Sequence, residues 1–389
     1  MKELHFSQEQ VTKILEEIAK KEDGFQEVMK ISLEALMRAE REEHNRANRD
    51  MSNGYRLRRT FGRRKMLELR VPRSRRGHFY PIILSLLRDQ EEECRRLAFS
   101  LYGAGLTTQQ VGELFGEIYG RDYSPSQISR MFDYAREEVA RWLARPLDSY
   151  YPIIIIDATF ISTRRVDSVS KEAYYTILGV REDRTREVLA IVNFPTESSL
   201  AWEQVFLALI ERGVKEIGLV ICDSLMEIET AVWKIFPMAE IQLCTVHLHR
   251  NVLKHVRPKD RASVAVDFKE VFRVGDSQDT PEKGWNRWQA FCKKWGRYYK
   301  GIGRMADNER YRLHFTYLSY DYRIHSMIYT TNWIERLNRA YKRTTRIRGA
   351  LPNPESTILL LGYVAMTRSE YQRKLPRLNY ETKKMRWEE

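Results

Sequence analysis

Two apolar runs that each finish on an aspartate constrain this chain more than any other feature. Residues 151–160 read YPIIIIDATF and residues 216–224 read EIGLVICDS, so Asp157 and Asp223 close hydrophobic stretches of strand length. A buried carboxylate without a partner is costly, so an acid at the end of a buried strand calls for a cation or a hydrogen-bond donor. A third acid, Glu335, lies in the basic segment TTNWIERLNRAYKRTTR, where six basic residues and no acid follow between Arg336 and Arg348. Two strand-end carboxylates and a third on a cationic segment point to a divalent metal and to phosphate.

The residues around these runs predict the order of elements. KEAYYTILGVRED and TREVLAIVNF read as two strands joined by a turn at Asp183 to Thr185. SSLAWEQVFLALIERGV follows as an amphipathic helix capped by Ser198 or Ser199. Then come a fourth strand ending at Asp223, a helix over LMEIETAVWKIF and a fifth strand over AEIQLCTVH. The resulting order, βββαβαβ, is that of a mixed α/β (α+β) ribonuclease H-like core, in which acids of the first and fourth strands lie side by side. Residues 248–329 form a mostly helical insertion whose Trp285 and Trp288 share a face expected to pack it against the sheet domain. Helical periodicity resumes at Asn332. At 100° per residue Ile334, Leu337 and Tyr341 share one face, and Glu335, Arg339, Lys342 and Arg346 form a separate stripe. The catalytic domain is thus expected over 149–247 and 330–365, with a basic tail over 366–389.

The N-terminal third has a different character. Residues 1–50 read as charged amphipathic helices, and 51–89 as a basic strand-containing segment with Asn53-Gly54 as a turn. Ten basic residues and one acid, Glu68, fall between Arg56 and Arg76. Such one-sided charge predicts phosphate contact through Arg56, Arg58, Arg59, Arg63, Arg64 and Lys65, and through Arg73, Arg75 and Arg76. Residues 90–148 have the outline of a helix-turn-helix. Thr107 or Thr108 caps the first helix, Gly120 to Tyr123 make the break, and Ser124 or Ser126 caps a second helix from Pro125. Gln127 and Arg130 would then face a major groove while Ile128, Met131 and Phe132 pack inward, although a helical hairpin with no role on DNA has the same outline.

Composition agrees with a polyanionic partner: 66 Lys and Arg against 53 Asp and Glu give a formal charge of +13. Every apolar run is broken well before membrane-spanning length, and the N-terminus lacks the apolar core of a secretory signal. Cys94, Cys222, Cys244 and Cys292 are widely spaced, which fits a reducing, cytoplasmic setting and no disulfide framework.

As chemistry, the acids fit phosphodiester cleavage or transfer, in which two Mg²⁺ or Mn²⁺ ions align and stabilise the attacking and leaving oxygens. Asp157 would bridge both ions while Asp223 and Glu335 each hold one. Arg336, Arg339, Lys342, Arg343 and Arg346 would hold DNA phosphates beside them.

Residues 222–256, CDSLMEIETAVWKIFPMAEIQLCTVHLHRNVLKHV, resemble the core of the Mutator-type (MULE-like) bacterial insertion-sequence transposases. IIDATFISTRR and TTNWIERLNRAYKRTTRIRGALPNPES resemble that family's first and third blocks. NGYR, VPRSRRGHF and the 107–132 helix pair resemble its DNA-binding region. The resemblance implies a DDE triad of Asp157, Asp223 and Glu335, with Asn332 beside it. It further implies double-stranded DNA as partner, at terminal inverted repeats and at a target, and strand cleavage followed by strand transfer. A homodimer is expected because two ends must be paired, in a bacterial cytoplasm and on the nucleoid when DNA is bound. The resemblance also brings a Cys-x-x-His element, Cys244 to His247, on the strand after the second aspartate. There it would orient the scaffold or contact DNA, and Gln242, which alternates with Cys244 on one face of the expected strand, is a companion candidate. A zinc site would need two further ligands, and the nearby His249 and His255 do not complete a standard spacing. A DNA-binding regulator derived from a transposase, and a branched-DNA nuclease, are the other functions this pattern admits.

Overall fold

The computed structural model describes residues 8–21, 23–61, 66–119, 123–165, 168–194, 198–346, 348–368 and 371. Expectations for Arg63, Arg64 and Lys65, for residues 120–122 and for most of the 366–389 tail lie outside them. The chain divides into two compact units, Met1–Arg136 and Glu137–Glu389.

The first unit begins with helices α1 (Gln8–Lys20) and α2 (Gly24–Asn48), followed by an antiparallel hairpin of β1 (Ser52–Phe61) and β2 (Met66–Ser74). Alternation in β2 turns Leu67, Leu69 and Val71 onto Met37 of α2 and Leu84 of α3 (Ile83–Ala104), which together make a small core. Asn53-Gly54 is not the hairpin turn. It lies inside β1, where the register slips between Ser52 and Tyr55 and Gly54 takes φ +64°. An Asn-Gly pair supplies that left-handed conformation to a bulge as readily as to a turn. The expected boundary between residues 89 and 90 also fails, because α3 runs through it.

Helices α4 (Thr108–Tyr119) and α5 (Pro125–Met131) carry matching capping boxes. Thr107 Oγ1 accepts from the Gln110 backbone N–H while the Gln110 side chain accepts from that of Thr107. Ser124 and Gln127 repeat the arrangement. The second helix is shorter than its sequence suggests: it stops at Met131, and α6 (Asp133–Leu143) starts after a break at Phe132. The two helices meet closely, since a Cβ on Gly112 would stand 2.4 Å from the Tyr123 carbonyl oxygen. Gly112→Val is therefore expected to cost about 1–3 kcal/mol. A melting curve that matches the parent would show that this approach does not matter to stability.

The second unit is built on a five-stranded sheet in the order β5-β4-β3-β6-β7. In chain order these are β3 (Tyr150–Arg164), β4 (Val169–Val180), β5 (Arg186–Asn193), helix α7 (Ser199–Glu211), β6 (Glu216–Cys222), helix α8 (Met226–Ile235) and β7 (Glu240–Leu243). The βββαβαβ order is as the sequence predicts, with β3 antiparallel to β4 and parallel to β6. Ser198 caps α7, as read. Ile154, Ile156, Val220 and Cys222 face Trp202 and Phe206 of α7 and Val232 of α8. The intervening Ile153, Ile155, Leu219 and Ile221 are equally buried on the other side. Burial on both faces explains why the run is continuously apolar instead of alternating.

After β7 come α9 (Thr245–Lys254), α10 (Arg261–Val271), α11 (Pro281–Gly296), the one-turn helices α12 (Lys300–Gly303) and α13 (His325–Ile328), and several 3-10 turns between them. Trp285 and Trp288 are buried among the aromatic side chains of this insertion. The chain then returns to the sheet as α14 (Asn332–Arg346) and α15 (Pro354–Met366), with α14 lying against β3 and α15 against β5.

The insertion is fastened to β7. Gln242 is fully buried; its amide donates to the Leu243 and His314 carbonyls and its oxygen accepts from the Tyr317 N–H. Thr316 Oγ1 donates to the Ile241 carbonyl and His314 Nδ1 to that of Leu243. Gln242 thus has a structural role, not the site role considered from its alternation with Cys244.

Candidate active site

Asp157 does not close its strand. It sits in the middle of β3, opposite Thr176 of β4, because Ala158–Arg164 continue as an antiparallel ribbon with Thr159, Ile161 and Thr163 buried. Against its parallel neighbour it does stand at an end. The last β3–β6 pair is Ile155–Ile221, so Asp157 and Asp223 each follow by two residues and share a face. That face is the one covered by α14.

Helix α14 behaves as its periodicity predicts: Ile334, Leu337 and Tyr341 are buried, and Arg336, Arg339, Lys342, Arg343 and Arg346 are exposed. Glu335 lies in its first turn, close enough for its charge to act on Asp157. One turn later Asn338, 6% exposed, donates from Nδ2 to Asp157 Oδ2 at 2.7 Å. The sequence reading passed over this residue. What could have found it is an asparagine three positions after Glu335, on the buried side of an otherwise apolar face.

Cys244 and His247 are placed differently from expectation. β7 ends at Leu243, Cys244 is the residue before α9, and His247 is in the first turn of that helix. The imidazole stands between the two aspartates, with Nε2 4.0 Å from Asp157 Oδ1 and Nδ1 3.8 Å from Asp223 Oδ1. The Cys244 thiol beside the ring, helped by the charges of both aspartates and opposed by burial, pushes His247 up to about 9. Burial works to raise the Cys244 thiol in turn, but His247 outweighs it and holds the thiol below its ordinary value. Burial pushes Asp157 up to about 6; the imidazole charge opposes this, and the charges of Asp223 and Glu335 add to it. The site is therefore three acids with a protonated imidazole between two of them.

Among the described residues no three His, Cys, Asp or Glu side chains are gathered closely enough to hold a metal ion. Asp223 and His247 open onto a cavity of about 370 Å³, whereas Glu335 lines a separate one of about 490 Å³ with Arg186, Asn332, Trp333, Arg336 and Arg339. Asn332 is thus beside Glu335.

Of the other phosphate-contact candidates, Arg56, Arg73 and Arg75 are exposed, while Arg58 pairs with Glu91 and Arg59 with Glu68. The Arg76 guanidinium donates to the Asn48 carbonyl. Arg130 is exposed, and Gln127 uses its side-chain Oε1 as the acceptor of the capping box, a bond in which its Nε2 donor takes no part.

A family model described as "Transposase, Mutator family" matches residues 2–374, and the chain belongs to that family of transposases. A probable transposase for an ISRM3-like insertion sequence element of Sinorhizobium fredii is 30% identical over 357 residues, covering 92% of this chain and 88% of its own. The transposase for insertion sequence element IS256 in transposon Tn4001 of Staphylococcus aureus is 27% identical over 377 residues, covering 94% and 95%. A solved Drosophila P element transposase strand transfer complex aligns with a TM-score of 0.39 at 9% identity, over 72% of this chain and 93% of that one, a likeness too slight to bear on the fold. The protein is accordingly an insertion-sequence transposase.

Proposed function

We propose that the second unit is a ribonuclease H-like DDE domain that cuts and rejoins DNA at the terminal inverted repeats of its element, with Asp157, Asp223 and Glu335 as the metal-binding acids. The observation that carries this reading is the convergence of Asp157 and Asp223 at the end of the β3–β6 ladder, beneath the helix that bears Glu335. Oxygen-only donors of this kind suit a hard divalent ion, Mg²⁺ or Mn²⁺. The unrelieved like charge around Asp157, balanced by one imidazolium, fits an expected cation load. Two such ions, when bound, would stabilise the entering and leaving oxygens of the phosphodiester.

The chain's own residues do the rest. Asn338 fixes one oxygen of Asp157 and leaves Oδ1 on the side of Asp223 and His247. The exposed cations of α14 would hold the phosphate backbone of double-stranded DNA, together with Arg56, Arg73, Arg75 and Arg130 of the first unit. A homodimer would pair the two ends, and the expected setting is the bacterial cytoplasm. Among the described residues no helix is long and apolar enough to cross a membrane.

The test is cleavage and joining of a duplex carrying the element's end in Mg²⁺ or Mn²⁺, with Asp157→Asn, Asp223→Asn and Glu335→Gln compared with the parent. Tight end binding by the parent with no cation-dependent cutting would select a DNA-binding regulator instead. Asn338→Ala should raise the Mn²⁺ concentration needed for half-maximal cutting about 10- to 100-fold, the usual consequence of releasing an oriented ligand. An unchanged Mn²⁺ midpoint would show that the contact does not orient Asp157.

A further inference from the structure

The cavity of about 370 Å³ beside Asp223 is lined mostly by residues that the chemistry above does not use. One wall is α9, the other the 3-10 turn Glu309–His314 of the insertion. On α9, His247, Arg250, Asn251 and Lys254 follow at helical spacing and line the cavity, with the buried Leu248 at its floor and Val252 buried behind the helix. Arg250 and Lys254 are exposed, and among the described residues neither lies in an ion pair. Across from them stand Asn308 and Arg310, the latter held by Glu229. Tyr311 lines the same space, with its ring backed by Trp288 at 5.4 Å and stacked on His314 at 5.9 Å. Asp223 is the one carboxylate in the lining.

This volume far exceeds that of a water site and lies at the lower end of small-molecule sites, about 300–1,000 Å³. Free cations on one rim with a rigidly backed aromatic ring within are the two components by which proteins hold single-stranded nucleic acid. We propose that the cavity is a nucleotide subsite: it receives one unpaired nucleotide of the DNA strand, its phosphate on Arg250 and Lys254 and its base against Tyr311. Because Asp223 borders both places, that nucleotide neighbours the phosphate that is cut, a position that rests on the reading of the acids given above. Extruding it costs stacking and pairing, which contacts to its phosphate and base offset. A free mononucleotide offers the same chemistry, so the source must be tested along with the site.

The experiment uses the full chain, without divalent cation, and duplexes of the element's end with 2-aminopurine placed in turn at each position flanking the cut. Fluorescence should rise several-fold at one position when protein binds, because that base leaves the stack. In an Arg250→Glu/Lys254→Glu variant the rise should vanish and the slope of log affinity against log salt should fall by about 2. Both side chains are exposed, so an unchanged melting temperature is expected to accompany the loss. The subsite is overturned if no position brightens, or if the variant brightens as the parent does. Saturable binding of dAMP that leaves the labelled nucleotide's signal intact would overturn the DNA strand as the source. Asp157→Asn separates the two readings: cutting by that variant sinks the acidic triad, whereas its fluorescence judges the subsite alone.

Discussion

On the role proposed for Asp157, Asp157→Asn is expected to lose strand cleavage by on the order of 10³-fold or more and yet to yield a protein more stable than its parent in EDTA at pH 8. The two effects have one origin. Asp157 is buried against the charges of Asp223 and Glu335, and its carboxyl is raised from an ordinary 3.8 to about 6. The folded state thus binds this proton more tightly than the unfolded state does. The stability it contributes is full below 3.8 and is lost as pH rises through about 6. Above that, the ionised group costs the metal-free protein roughly 2–3 kcal/mol, a penalty that a neutral amide removes. The oxygen of the substituted amide can still accept from Asn338, so that bond survives the change. Melting temperatures of parent and variant at pH 5 and pH 8 check this: the gain should be nearly full at pH 8 and about half as large at pH 5, where the unfolded carboxyl is already ionised and the folded one is not. A variant less stable than the parent at pH 8 would mean that the imidazolium of His247 already compensates the ionised carboxylate.

The second large effect is structural. Glu229 of α8, 2% exposed, accepts three hydrogen bonds from Arg310, from Nε at 3.2 and 3.0 Å and from Nη2 at 2.5 Å, which tie the insertion to the sheet's helical layer. Glu229→Ala leaves a half-buried guanidinium without its partner and is expected to cost about 3–5 kcal/mol, toward the lower figure because Arg310 retains some solvent. A fall in melting temperature of roughly 10 °C corresponds to this. Glu229→Met combined with Arg310→Met should recover most of the loss, since removing both charges removes the unpaired one. If the single change shifts stability by less than about 1 kcal/mol, the pair does not fasten the insertion.

What the sequence revealed, and what it hid, follows from how each element is stabilised. The five strands and α14 were legible because their burial is periodic or, for β3 and β6, complete on both faces. The extension of β3 past Asp157 was not, since ATFISTR alternates with threonines that are buried without being apolar. The start of α9 was hidden for a related reason. Cys244 makes no side-chain cap bond, so LCTVH carries none of the polar punctuation that marks a helix and reads as strand. Ser-x-x-Gln also announces the capping box at Gln127, which occupies the side-chain oxygen and leaves Nε2 outside that bond. Asp157 and Asp223 stand out in the sequence because the cost of an acid following a buried apolar run is local to its own strand. Asn338 and the placement of His247 between the aspartates depend on contacts across the fold, Asn338 with a residue 181 positions away, and no local pattern encodes them.

The clamp of Gln242, His314 and Thr316 on β7 has a consequence for any shortened form of this chain. β7 is an outermost strand of only four residues, and side chains of the insertion occupy the Ile241 and Leu243 carbonyls on its open side. Cut away the insertion and that side becomes an unpaired backbone row, the template on which strands of separate molecules join into aggregates. The insertion therefore covers the molecule's sheet edge, and trimming it is expected to make the shortened form self-associate.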